Sequence, residues 1–67
     1  MNKFSQRLKE LREESHISQS QLAVALGCTQ STIAKWESAT REPSLESLIA
    51  IARFFKISTD YILGLED

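Results

Sequence analysis

From Phe4 onward the apolar residues recur at helical rather than alternating spacing. Phe4, Leu8, Leu11 and Ser15 stand at i, i+4, i+7 and i+11, a narrow stripe beneath a charged surface of Lys3, Arg7, Lys9, Glu10, Glu13 and Glu14. This predicts an amphipathic first helix ending near Ser15. Ser18 then reads as an N-cap, Gln21 is placed to return the hydrogen bond as a capping box, and Leu22, Ala23 and Leu26 supply the buried face of a second helix. Gly27 closes that helix, because glycine enters the left-handed backbone region without a Cβ clash. Thr29 caps a short third helix, whose buried side is marked by Ile33 and Trp36 and which runs to about Ser38.

The stretch from Ser38 to Pro43 is a polar connection, and Pro43 disfavours helix at Glu42. Ser44 caps a fourth helix with Leu48, Ile51, Ala52 and Phe55 at i, i+3, i+4 and i+7 and Leu45 alongside. Lys56-Ile57-Ser58 interrupts the pattern, Ser58 caps a last short helix with Asp60 in its first turn, and Gly64 ends it. The expected fold is an all-α, compact five-helix domain occupying residues 1–67 as one unit, without internal repeat, low-complexity stretch or linker.

Composition narrows the class. A chain of 67 residues buries only about 60% of the surface its unfolded form exposes, so a multidomain enzyme is excluded. One Cys cannot make an internal disulfide, and no residues have zinc-site spacing, so packing alone must hold the fold and no cofactor is expected. No apolar run approaches the ~20 residues of a membrane span, and Met1-Asn2-Lys3 does not open a signal peptide; a cytoplasmic protein with no membrane partner is expected. The single His and the lack of a nucleophile elbow leave no supported catalytic triad. The formal charge of −1 argues against an indiscriminate polyanion binder, so a nucleic-acid function must rest on a local surface.

That surface is found on the third helix. With Ile33 and Trp36 inward, Gln30, Ser31, Ala34, Lys35 and Ser38 share the opposite side, which contains no acid. Gln can bind adenine bidentately, Lys can reach guanine O6 and N7, Ser can serve either, and the Ala34 methyl can pack on a thymine methyl, as a helix in the DNA major groove requires. The caps flanking this unit, Ser18 among them, suit phosphate oxygens.

The run Ser-Gln-x-x-Leu-Ala-x-x-Leu-Gly, then Thr-Gln-Ser-x-Ile-x-x-Trp-Glu, then Pro-Ser-Leu-x-x-Leu-x-x-Ile-Ala, closing on residues 57–64, resembles the lambda-repressor-like helix-turn-helix family, the Cro, phage-repressor or Xre class, over essentially the whole chain. The resemblance implies a transcriptional regulator, a repressor of phage, prophage or bacterial genes, that binds double-stranded operator DNA as a homodimer. It places phosphate contact and support of the first base-reading Gln on Gln19, that base reading on Gln30, further base or backbone contacts on Ser31, Thr32 and Lys35, and phosphate contacts on Thr40, Arg41 and Ser44. It further implies dimerisation through the C-terminal region, for which Phe54, Tyr61 and Leu65 are the candidates, against the alternative that all three complete the core.

Arg12 lies beside the buried stripe of the first helix and Glu37 beside Trp36, so a partly buried ion pair is expected between them, as related repressors have at these positions. Trp36 is assigned to the core by its register with Ile33. Cys28, a lone thiol, is expected to fill space in the turn rather than act as a redox switch, and His16 to serve the connection between the first two helices. The alternative function is a protein-interaction module, an antitoxin or anti-repressor-binding domain, using the same fold. Asp67 follows closely on the last helix, which fits either a whole small regulator or the N-terminal piece of a longer one.

Overall fold

A computed structural model describes residues 3–66, and the apolar stretches fold there as α1 (Phe4–Glu14), α2 (Gln19–Leu26), α3 (Gln30–Glu37), α4 (Leu45–Phe55) and α5 (Thr59–Leu63). The cap residues account for the boundaries. Ser18, Thr29, Ser44 and Ser58 each take an extended backbone, and each side-chain oxygen accepts from the backbone N–H three residues on. The capping box is complete at α2: Gln21 N donates to Ser18 Oγ at 3.0 Å, and Ser18 N donates to Gln21 Oε1 at 2.7 Å. α1 starts differently. Its N-cap Lys3 makes no side-chain cap, and its backbone N–H instead donates to Leu63 O at 3.3 Å, tying the start of α1 to the end of α5.

Each helix contributes one wholly buried aliphatic side chain: Leu8, Leu22, Ile33, Ile51 and Ile62 in order along the chain. Phe4, Ala23, Trp36 and Ala52 complete the buried set, with the Phe4 and Trp36 rings edge to face at 75° and 6.4 Å between centroids. α3 packs on both α1 and α2, α4 on α2, and α5 on α1 and α4. Trp36 is therefore a core residue, as its register predicts, and its indole N–H has no acceptor among the described residues.

Three expectations change. Leu45 is 79% exposed rather than alongside the buried face; as the first residue of α4 its Cβ leans beyond the helix start, past the reach of the core. Ser15 is exposed because α1 stops at Glu14 and Ser15 is its C-cap. Arg7 leaves the solvated surface: its Nη1 donates to Tyr61 O and, at 2.7 Å, to Glu66 O, and its guanidinium lies 4.3 Å from the Tyr61 ring centroid.

Candidate nucleic-acid interface

The turn between α2 and α3 fixes the geometry of the site. Gly27 has φ +74°, and Cys28 N donates across it to Ala23 O at 2.9 Å, which ends α2 and lets Thr29 begin α3 two residues later. Leu22 and Ala23 from one helix and Ile33 and Trp36 from the other are buried together, which turns the opposite side of α3 outward.

Gln30, Ser31 and Lys35 are exposed on that side, and Ala34 is half-buried between them. Thr32 is half-buried, with its hydroxyl 3.0 Å from that of Thr29. Beyond α3 the loop folds back: Thr40 N and Oγ1 both donate to Lys35 O, at 3.0 and 3.2 Å, and the Thr40 hydroxyl lies 2.9 Å from that of Ser38. Arg41 is exposed directly after it. Ser44 Oγ donates to Ser47 Oγ at 3.0 Å while accepting from Ser47 N, so its proton is used within the cap. Ser18 is exposed, and its oxygen serves the capping box of α2.

Behind the exposed face lies a polar chain. Gln30 Nε2 donates to Gln19 Oε1 at 2.6 Å, and Gln19 Nε2 donates to Glu37 Oε1 at 3.1 Å. Glu37 accepts from Arg12 twice, Nε to Oε2 at 2.6 Å and Nη2 to Oε1 at 3.0 Å, a bidentate pair whose side chains are only 12% and 4% exposed. Arg12 Nη1 also donates to Ile17 O at 2.9 Å, so the same guanidinium holds the α1–α2 connection. Burial opposes the Glu37 charge, but the hydrogen bonds from Arg12 and Gln19 and the charges of Arg12 and Lys9 outweigh it and hold the carboxyl below its ordinary range. The hydrogen bond to Glu37 likewise raises the Arg12 guanidinium against its own desolvation.

Lys9, Arg12, Gln19, Ala34, Glu37 and Ser38 line an open groove of ≈ 340 Å³ at this place. Two participants escape sequence reasoning. Lys9 reads as one of several surface charges, although its i, i+3 spacing to Arg12 points to the shared side; the Gln19–Glu37 bond needs the packing of α2 on α3 and has no local signal. Of the interface candidates at the other end, Leu65 is 71% and Phe54 43% exposed, while Tyr61 is half-buried with its ring under Arg7. Cys28 is half-buried and burial pushes its thiol pKa up, away from a reactive thiolate. The described residues contain no His, Cys, Asp and Glu cluster able to hold a metal, and no helix long and apolar enough to cross a membrane.

Helices α2 and α3, joined by a glycine turn and presenting a polar face, define a helix-turn-helix unit. A helix-turn-helix family model matches residues 8–62, and the chain belongs to that family, in its lambda-repressor-like (Xre) class. It is similar to YobD, an uncharacterized HTH-type transcriptional regulator of Bacillus subtilis (strain 168), at 38% identity over 64 residues, 96% of this chain and 57% of that protein. The HTH-type transcriptional activator BcrR of Enterococcus faecalis is also 38% identical over 64 residues, 96% of this chain and 31% of that protein. The chain thus spans 57% and 31% of the lengths of these relatives. Among solved structures, the P22 c2 repressor protein in complex with a synthetic operator matches with a TM-score of 0.89 and 27% identity, covering 98% of this chain and 100% of that one.

Proposed function

We propose that the chain binds double-stranded operator DNA sequence-specifically as a two-fold homodimer, laying α3 in the major groove and repressing phage, prophage or bacterial genes. The observation that carries this reading is the exposed side of α3: Gln30, Ser31 and Lys35 stand in solvent with no acid beside them, and Gln30 is braced from behind by Gln19. Gln30, Ser31, Ala34 and Lys35 contact bases in this reading. Ser18, Gln19, Thr32, Thr40, Arg41 and the N-terminus of α4 at Ser44 hold the phosphates on either side. Similarity to a repressor solved with a synthetic operator supports the choice of partner. The exposed Phe54 and Leu65, with Tyr61 between α1 and solvent, supply the dimer contact.

Selection of binding sites from a library of random duplexes tests the proposal. An enriched palindrome is the expected result. No enrichment at low salt contradicts it and favours the protein-interaction module, in which an anti-repressor or antitoxin-type partner replaces DNA.

A further inference from the structure

The hydrogen bonds that join Gln30, Gln19, Glu37 and Arg12 can run in one direction only. Arg has donors and no acceptor, and an ionised carboxylate has acceptors and no donor. Both Glu37 oxygens face Arg12, and the one 3.0 Å from Nη2 also meets Gln19 at 3.1 Å, so Gln19 must present its NH₂ group there. Its carbonyl oxygen then points the other way, and Gln30 must turn its own NH₂ group toward it, at 2.6 Å. Gln30 is left with a carbonyl oxygen and one N–H for a base. That acceptor and donor match the N6 amino group and N7 of adenine, whereas guanine offers O6 and N7, two acceptors, and would set O6 against the Gln30 oxygen. A free glutamine escapes that repulsion by turning both N–H donors of its NH₂ group toward O6 and N7; here one of the two is committed to Gln19.

We propose that the Arg12–Glu37 pair sets the base preference of α3: by fixing the direction of the amide chain it makes Gln30 a reader of adenine that rejects guanine. The inference rests on the assignment of Gln30 as a base contact. Glu37 is a positioning residue, acting through Gln19, and its low exposure matters because a carboxylate with little solvent against it gains little by trading Gln19 for water. Gln19 retains a second N–H, so the phosphate contact proposed for it needs no change in the direction of the chain.

Two experiments test the proposal. In the wild-type chain labelled with ¹³C and ¹⁵N, couplings across hydrogen bonds are expected from Gln30 Nε2 to the Gln19 amide carbon and from Gln19 Nε2 to the Glu37 carboxyl carbon. Coupling in the reverse sense, or none at either amide, overturns the proposal. Site selection is then run on wild type, Gln30→Ala and the double variant Arg12→Met/Glu37→Leu, which removes both charges together and strands neither. At the base pair whose preference Gln30→Ala abolishes, discrimination of adenine over guanine should fall about tenfold in the double variant, within the range of one bidentate base contact, with other positions unchanged. Undiminished discrimination in the folded double variant overturns this proposal alone. A Gln30→Ala selection identical to wild type overturns the base-contact assignment and the proposal with it. Should the double variant not fold, the couplings decide.

Discussion

Glu37 is a carboxylate with almost no access to water, compensated by two bonds from Arg12 and one from Gln19. Such a pair adds little net stability against an apolar substitute, but breaking it strands a charge. Glu37→Ala should therefore cost about 3–5 kcal/mol in urea unfolding, several times more than the Arg12→Met/Glu37→Leu replacement. The pH dependence has a definite sign. Because the folded carboxyl titrates below its unfolded value of 4.5, its contribution is complete above that pH and is lost as pH falls through the folded pKa. Glu37→Gln should flatten the loss of stability on the acid side, as unfolding midpoints measured along a pH series will show. Sequence reasoning reaches Arg12 and Glu37, since each flanks a buried stripe. It does not reach Arg7, whose partners Tyr61 and Glu66 lie at the far end of the chain and carry no periodic signal.

Among the described residues, four of the five helices begin at a Ser or Thr whose side chain caps the first turn, and two end at a glycine with positive φ. These devices depend on a few adjacent residues, so the elements are legible in the sequence almost to their ends. The breaks without glycine are less so. Ala39 and Lys56 take φ values of +63° and +56°, a conformation that L-residues adopt at a cost and that sequence pattern does not announce. Two substitutions use this contrast. At Gly27, where a Cβ would meet nothing within 4 Å, alanine should cost only the backbone strain, about 1 kcal/mol. Ala39→Gly should instead raise stability by about 0.5–1 kcal/mol, the relief of strain less the added freedom of the unfolded chain. Thermal unfolding of the two variants should move in opposite directions.

Over the whole molecule charge is divided along the chain. Residues 1–43 carry six Lys+Arg against five Asp+Glu, whereas residues 44–67 carry two against four, so the acidic excess lies in the part assigned to the dimer contact. In the proposed mode of binding, occupancy of DNA then depends on base contacts and paired half-sites more than on bulk charge. Arg41→Ala should weaken binding to all sequences and reduce the slope of log affinity against log salt by about one unit per site. Leu65→Lys should leave the fold intact, since the side chain is 71% exposed, yet shift operator binding to higher protein concentration, read by sedimentation and titration together. The proposed dimer surface is the least legible part: one chain's periodicity distinguishes a core face from solvent, but not from the face of a second copy.

In the proposed function the exposed side of α3 reads DNA sequence-specifically. The most direct test is the affinity of wild type and Gln30→Ala for the selected operator and for each single-base-pair variant of it, at fixed salt. Gln30→Ala should lose about 1–3 kcal/mol on the operator and become indifferent to one base pair in each half-site, keeping its preferences elsewhere. Unchanged affinity, or an equal loss on every sequence, would contradict that reading.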